Sequence, residues 1–230
     1  MWSLGYDIRR ITARDPWLAV KNFLEPAKVH TIFDVGAFVG DFTARFLSQF
    51  PQAQIYAFEP SPSQYQKLEQ RFRGHPRVHT FPIAISDQEG MGRFFLNSNP
   101  ATNSLLSFSN HAAYPGQFST NATLSVPITT LDLFCRKHNI STIDILKVDV
   151  QGADMLVLKG AENLLRTANI AFVYVELLFV PVYTPHYDGL SVLSYLEQFG
   201  YSLLNFYDFG IAPDGRIHQC DALLIHRKVL

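Results

Sequence analysis

The chain has 230 residues, a formal net charge of -1 and a sequence pI of about 6.7. Hydrophobic residues make up 47% of the sequence and charged residues 17%, which excludes an intrinsically disordered chain. The balanced charge argues against a nucleic-acid partner. The two cysteines, Cys135 and Cys220, exclude a disulfide framework. We therefore expect a globular protein with reduced thiols.

The N-terminal region shows no signal-peptide pattern, because Arg9 and Arg10 are followed by no apolar segment. No apolar run reaches membrane-spanning length, since Glu176 interrupts the nearest one, residues 171–182. These features predict a cytoplasmic protein. Apolar residues at helical spacing within residues 1–30 predict an N-terminal helical cap. A lid over a site and a homodimer contact remain the alternatives for this region.

From residue 31 onward, predicted strands alternate with predicted helices. The first group of elements is predicted at residues 31–35, 41–50, 54–58, 62–73 and 78–85. The second group is predicted at residues 131–138, 143–150, 154–165, 168–178, 188–198, 201–206 and 222–226. Strands joined by helices form a parallel sheet covered on both faces, but no helix precedes the last strand, which should run antiparallel. The fold class is therefore α/β, with a Rossmann-like, doubly wound, mostly parallel seven-stranded sheet in one domain, residues 31–230.

Residues 91–128 break this alternation. Residues 92–96 look like one strand of a hairpin. Residues 97–123 are almost uncharged and rich in Ser, Asn, Thr and Ala. So long a stretch without structure signals is typical of a functional or disordered loop.

The sharpest local motif is Asp34-Val35-Gly36-Ala37-Phe38-Val39-Gly40, which ends the first strand and opens the first helix. Gly36 allows a sharp turn, and we expect unpaired N–H groups at the helix N-terminus. In a doubly wound sheet, this is where a nucleotide-like ligand binds. Phe38 would crowd a pyrophosphate, whereas an adenosyl ligand without phosphates fits. Glu59 ends the second strand, where an acidic side chain meets ribose hydroxyls.

A second motif spans residues 145–154, in which Lys147 and Asp149 project from the same face of a strand. Glu176 lies on the predicted neighbouring strand. If the two strands are parallel, Asp149 and Glu176 converge at one edge of the sheet. Nearby carboxylates raise each other's pKa, which suits a proton acceptor. A structural ion pair between Lys147 and Asp149 is the alternative.

Together these segments resemble the class I S-adenosylmethionine-dependent methyltransferases and, more narrowly, the FkbM family. The matching segments are residues 33–42, 58–61, 84–90, 129–133 and 143–165, with Glu176 at the family's usual distance. Three positions depart from the family, which usually has Asn at Phe38 and Glu at Gln151 and Asp154.

The resemblance implies a donor site for S-adenosylmethionine and a group of residues at the reacting centre. The implied donor-site residues are Asp34, Gly36, Ala37, Phe38 and Gly40 at the methionine end, Glu59, Pro60 and Ser61 around the ribose, Ala84, Ile85 and Ser86 beside the adenine, and Asn103 and Ser104 over the donor. The implied residues at the reacting centre are Lys147, Asp149, which would also border the donor, and Glu176.

The implied reaction is O-methylation of a sugar, a glycan or a small natural product. Asp149, Glu176 or His186, in a loop beyond the Glu176 strand, would accept the proton, and Lys147 would hold a carboxylate or stabilise an oxyanion. Scattered histidines and cysteines predict no metal site. Two other hypotheses stay open. One is a nicotinamide-dependent oxidoreductase, against which the missing glycine at Phe38 argues, and the other is a non-catalytic module with a degenerate donor pocket.

Overall fold

The computed structural model of the protein describes residues 15–109, 119–211 and 215–230. Of the predicted N-terminal cap, residues 1–14 lie outside these ranges. The rest of it forms a helix, α1, at Pro16–Val20 and a 3-10 turn at Pro26–Lys28. Trp17 of α1 is fully buried, with its ring centroid 5.2 Å from that of Tyr174 in the main sheet. The described part of the cap therefore packs onto the sheet.

The strands in the described ranges are β1 Thr31–Val35, β2 Gln54–Phe58, β3 Val78–Phe81, β4 Ala84–Ile85, β5 Gly90–Asn97, β6 Ser107–Phe108, β7 Thr120–Thr129, β8 Ile143–Val148, β9 Ile170–Leu178, β10 Tyr183–Thr184, β11 Tyr201–Ile211 and β12 Ile217–His226. The remaining helices there are α2 Asp41–Gln49, α3 Pro62–Phe72, α4 Leu131–His138, α5 Asp154–Lys159, α6 Glu162–Arg166 and α7 Gly189–Gln198. No helix within these ranges has the length and apolar character needed to cross a membrane.

Seven strands form the main sheet, in the order β11-β12-β9-β8-β1-β2-β3. Strands β3, β2, β1, β8 and β9 pair in parallel, whereas β12 is antiparallel to both β9 and β11. The predicted doubly wound sheet with an antiparallel last strand is confirmed. The last strand, β12, lies between β9 and β11, because it pairs antiparallel with the strand that precedes it in the chain and also with β9.

Helices cover both faces of this sheet. Neighbouring residues of β1 face opposite sides: Phe33 packs with Phe134 of α4, while Ile32 joins the cluster that contains Phe46 of α2. Successive side chains of a strand alternate faces, so every central strand is apolar on both sides. The hydrophobic runs of the sequence reflect this double burial.

The predicted strand at residues 78–85 is wrong as a single element. It divides into β3 and β4, and β4 pairs with β7 in a separate three-stranded sheet of order β4-β7-β5. Pro82 stands at the division. Proline has no N–H to donate to a ladder, so it ends the pairing with β2.

The predicted helix at residues 154–165 is also wrong as a single element, because it divides at Gly160 into α5 and α6. The Gly160 carbonyl accepts the N–H of Asp132 at 3.0 Å instead of continuing the helix. The Asp132 carboxylate accepts the N–H groups of Asn163 and Leu164 at 2.9 and 3.0 Å. These bonds satisfy donors at the start of α6, which stabilises a new helix there.

The loop predicted over residues 97–123 is shorter than expected. Residues 120–123 belong to β7, which pairs with β5 in an antiparallel hairpin, while residues 110–118 lie outside the described ranges. The remainder holds a 3-10 turn at Pro100–Thr102 and strand β6. Pairing with β5 gives this polar segment its strand conformation, since strand preference depends on the partner more than on composition.

Several strand predictions differ from the structure in their bounds, among them β8, β11 and β12. Strand β8 ends at Val148 rather than at residue 150, and the chain turns at Gln151 and Gly152, which have positive φ angles of 58° and 84°. Strands β11 and β12 extend well beyond the predicted 201–206 and 222–226 and form a long hairpin. This hairpin brings residues to the site that the sequence did not indicate.

Candidate active site

A cavity of about 410 Å³ opens where the carboxyl ends of β1, β2, β8 and β9 meet. Its volume lies within the range of ligand cavities, about 300–1,000 Å³. Its apolar lining comes from Val35, Ala37, Phe38, Phe42, Phe58, Pro60, Ile83, Ala84, Ile85, Phe94, Pro100, Ala101, Leu105 and Val150. Its other lining residues are Gly36, Asp41, Glu59, Asn103, Lys147, Asp149, Gln151, Glu176, Asp208, Gln219 and Asp221.

The turn after β1 forms one rim of the cavity. Gly36 has φ +76°, and a Cβ atom added there would lie 1.9 Å from the Asp149 carbonyl oxygen. Only glycine allows the turns after β1 and β8 to approach this closely. Phe38 also adopts a left-handed conformation, with φ +52°, which is uncommon for a bulky residue.

The N–H groups of this turn are bonded within the protein. Those of Gly36 and Ala37 donate to the Phe58 carbonyl at 3.0 and 2.9 Å, and that of Phe38 donates to Glu59 Oε2 at 2.9 Å. These three residues precede α2, which begins at Asp41, so their bonds do not bear on the N–H groups expected at the helix N-terminus. The turn contributes shape to the cavity, and it fixes the side chain of Glu59.

Glu59 lies at the carboxyl end of β2 and is 6% exposed. Its Oε1 accepts the N–H of Ser61 at 2.8 Å, while its Oε2 accepts that of Phe38. Burial raises the pKa of Glu59 to about 7, although the two N–H donors and Lys147 act in the opposite direction. The carboxyl group is thus held in one orientation at the edge of the cavity.

Lys147 is fully buried beneath the glycine turn. Its Nζ lies 2.8 Å from the Gly36 carbonyl oxygen, 3.3 Å from Asp34 Oδ1 and 3.7 Å from Asp149 Oδ2. Burial alone would lower the pKa of Lys147, but the adjacent Asp34 and Asp149 carboxylates raise it. These contacts favour a role in holding the turn and Asp149 over one in stabilising an oxyanion.

Asp149 and Glu176 converge on one amide group. Gln151 Nε2 lies 3.0 Å from Asp149 Oδ1 and 3.2 Å from Glu176 Oε2, and Gln151 Oε1 accepts the Tyr183 hydroxyl at 3.1 Å. Burial, followed by the charge of Asp149, raises the pKa of Glu176 well above its ordinary value. The amide thus bridges two acidic groups, Asp149 directly after β8 and Glu176 near the end of the neighbouring parallel strand β9.

The structure brings most of the predicted site residues to the cavity. The predicted residues that line it are Gly36, Ala37, Phe38, Glu59, Pro60, Ala84, Ile85, Asn103, Lys147, Asp149 and Glu176. The predicted residues outside its lining are Asp34, Gly40, Ser61, Ser86, Ser104 and His186.

Several of the residues outside the lining contact elements that form the site. Asp34 Oδ2 accepts the Thr43 hydroxyl at 2.7 Å, and Ser104 Oγ donates to the Gln151 carbonyl at 2.8 Å. Gly40 lies against α3, where an added Cβ would meet Phe72 at 2.4 Å. His186 Nε2 lies 3.9 Å from Asp188 Oδ2, and the cavity lining does not support the predicted role of His186 as proton acceptor.

Sequence reasoning missed three polar residues that line the far side of the cavity, namely Asp208, Gln219 and Asp221. They lie on the parts of β11 and β12 that exceed the predicted strands. Burial raises the pKa of Asp221 to about 7, and its Oδ2 accepts the Tyr174 hydroxyl at 2.6 Å. The available signal was the spacing of Gln219 and Asp221, two residues apart before an apolar strand.

Within the ranges that the structure describes, no group of three or more His, Cys, Asp or Glu residues is arranged to hold a metal ion.

Comparison with known proteins identifies the family. The profile of the methyltransferase FkbM domain matches residues 34–203. The chain is 27% identical to the 2-O-methyltransferase NoeI of Sinorhizobium fredii, over 73% of this chain and 71% of NoeI. It is 24% identical to the hexuronic acid methyltransferase AglP of Haloferax volcanii, over 69% of this chain and 60% of AglP.

A solved structure shares the fold. It is a Listeria monocytogenes protein assigned to the S-adenosylmethionine-dependent methyltransferases, with a TM-score of 0.51, 9% identity, and coverage of 92% of this chain and 96% of that one. The profile match extends from the glycine turn through β8 and β9, so it includes both motifs of the site. The chain belongs to the FkbM methyltransferase domain family.

Proposed function

We propose that the chain transfers a methyl group from S-adenosylmethionine to a hydroxyl group of a sugar or small natural product. The observation that carries this proposal is the fixed Glu59 carboxyl group beside the glycine turn. In doubly wound folds, an acidic residue at this point binds ribose hydroxyls. Family membership and the names of the relatives, one a 2-O-methyltransferase and one a hexuronic acid methyltransferase, support the reaction class.

The cavity residues fit such a donor. Glu59 would bind the ribose, and Ile85, Phe94 and Leu105 offer apolar surface for the adenine. S-adenosylmethionine supplies a methyl group already activated on a positively charged sulfur. The acidic lining suits that positive charge, and Asp149 is the carboxylate that lies between the glycine turn and Glu176.

The chain's own residues would align the acceptor, exclude water and take up a proton. Alignment of two reactants in a closed site accounts for much of the acceleration of a displacement reaction. Asp149 and Glu176 are the groups placed to accept the hydroxyl proton. A raised pKa makes the Glu176 carboxylate, once ionised, a stronger base than an exposed glutamate. The positive charge of the bound donor would favour this ionised form. Gln151 would hold both groups in place.

Transfer of a labelled methyl group from S-adenosylmethionine to a panel of hydroxylated sugars and phenols tests the proposal. We expect transfer by the wild-type chain and a loss of at least tenfold in Glu59→Ala. Glu69→Ala is the matched control, because Glu69 is a glutamate on α3 whose partner is Arg73; this variant should retain full activity. Absence of transfer to every acceptor would favour the non-catalytic module instead. The family match leaves no support for the nicotinamide-dependent oxidoreductase.

A further inference from the structure

The side of the cavity away from the glycine turn is lined by acidic and amide side chains, which we name the acidic wall. The acidic wall consists of Glu176 on β9, Gln219 and Asp221 on β12, and Asp208 on β11. Asp221 lies directly opposite Glu176 in the antiparallel β9–β12 pair. Residues that are opposite, or two apart on one strand, share a face of the sheet. The register therefore places Glu176, Asp221 and Gln219 on one surface.

Glu176 and Asp221 of the acidic wall accept hydrogen bonds from neutral side chains. Gln151 and Gln219 donate to Glu176 at 3.2 and 3.3 Å, and the Tyr174 hydroxyl donates to Asp221. Among the described residues that line the cavity, Lys147 alone carries positive charge. Its Nζ is engaged by the Gly36 carbonyl and Asp34. Burial raises the pKa of Asp221 to about 7, so this carboxyl group is largely ionised at pH 8. Its negative charge then faces the cavity, where water screens it less than at the surface.

This charge discriminates between classes of acceptor. A carboxylate, phosphate or sulfate on the acceptor would face like charge without a free cation beside it. Hydroxyl groups, in contrast, donate hydrogen bonds to carboxylates and to amide oxygens, and an ammonium group would be attracted. We propose that the acceptor is a polyhydroxylated molecule that is neutral or carries an amine, and that the acidic wall excludes anionic acceptors. This inference rests on the proposed function.

The test measures sugar binding to the protein loaded with S-adenosylhomocysteine at pH 8, where Asp221, with a pKa of about 7, is largely ionised. The probes are methyl glucoside, glucosamine and glucuronic acid, which share a pyranose ring but differ in charge. We expect methyl glucoside and glucosamine to bind at least tenfold more tightly than glucuronic acid. Glucuronic acid binding as tightly as the other two, or no binding of any of the three, would overturn the inference.

Variants test whether Asp208 and Asp221 cause the weaker binding of glucuronic acid. Asp208→Asn and Asp221→Asn should each lower the ratio of the glucuronic acid Kd to the methyl glucoside Kd at least threefold. Asparagine tolerates the left-handed conformation of Asp208, at φ 48°, and still accepts the Tyr174 hydroxyl at position 221. The control is Glu69→Gln, which removes a carboxylate outside the cavity lining that is paired with Arg73 at 2.7 Å. This control should leave the ratio unchanged, and a change as large as that of Asp221→Asn would contradict the assignment.

Binding of S-adenosylhomocysteine is measured first, because it separates the two proposals. A folded protein that fails to bind it refutes the proposed function, and this inference falls with it. A protein that binds it but prefers glucuronic acid refutes only the neutral or amine-bearing acceptor.

Discussion

Gly36 is the residue whose identity the site depends on most directly. Its positive φ and the 1.9 Å approach of the Asp149 carbonyl oxygen to an added Cβ are two separate reasons for glycine. Gly74 shares only the first reason, since its φ is +73° and nothing lies within 4 Å of an added Cβ. Substitution of Gly74 therefore measures the cost of backbone strain alone, whereas substitution of Gly36 measures that strain together with the steric clash.

We predict that Gly74→Ala lowers the free energy of unfolding by about 1 kcal/mol, the cost of left-handed backbone for alanine. Gly36→Ala should lower it by at least about 3 kcal/mol, because the clash with the Asp149 carbonyl adds to that cost. Urea denaturation of both variants measures the difference. Equal costs would mean that the turns after β1 and β8 do not approach as closely as described.

The sequence predicted the residues of this turn but not the hydrogen-bond acceptors of their N–H groups. The motif identifies a tight turn because glycine has a local conformational signature. Hydrogen bonds to the Phe58 carbonyl and to Glu59 are non-local, so no local pattern indicates them. Phe38 likewise gives no local signal for its conformation, because φ +52° is uncommon for a bulky residue.

At the scale of elements, a segment that lines the cavity is tied to the carboxylate pair through one tyrosine. The Tyr183 hydroxyl lies 3.1 Å from the Thr102 carbonyl and 3.1 Å from Gln151 Oε1. Its ring stacks on Phe108 of β6, at 5.3 Å between centroids. The segment with Asn103 and Leu105 is therefore connected to the same amide that bridges Asp149 and Glu176.

We predict that Tyr183→Phe lowers the free energy of unfolding by about 1 kcal/mol and speeds amide hydrogen exchange in residues 98–109. The matched control is Tyr201→Phe, because the buried Tyr201 hydroxyl donates to the Ile170 carbonyl at 2.7 Å and Tyr201 does not line the cavity. The control should be destabilised by a similar amount without faster exchange in residues 98–109. Mass spectrometry of exchanged peptides measures both. Similar exchange in both variants would show that Tyr183 does not hold this segment.

The elements of the main sheet were predictable because each central strand is an apolar run between turn residues. The division at Gly160 was not, since it depends on the Asp132 carboxylate from α4. Asp208, Gln219 and Asp221 of the acidic wall were missed for a related reason. Polar residues at the ends of β11 and β12 resemble an exposed hairpin until the register of β12 beside β9 is known.

For the whole molecule, the buried acidic groups set the dependence of stability on pH. Burial raises the pKa of Glu59, Asp154 and Asp221 to about 7, and that of Glu176 is also raised. A raised pKa means that the folded chain holds protons that the unfolded chain releases. Stability from these groups is thus full below about pH 4 and is lost as the pH rises through 7.

We predict that the free energy of unfolding of the ligand-free protein falls by at least about 2 kcal/mol between pH 4.5 and pH 7.5. His79 and His218, whose pKa values are lowered by burial, act in the opposite direction over part of this range, but both are only partly buried. Glu59→Gln should reduce the slope, because it removes one titrating group. Urea denaturation across this range is the measurement, and stability that rises with pH would contradict the assigned protonation states.

The central claim, a donor site fixed by Glu59, is tested most directly by calorimetric titration with S-adenosylhomocysteine. We predict that the wild-type chain and Glu69→Ala bind it with equal affinity. Glu59→Ala should bind at least tenfold more weakly, because it loses the carboxyl group held by the N–H groups of Phe38 and Ser61. No binding by the folded wild-type chain, or equal binding by Glu59→Ala, would contradict the account.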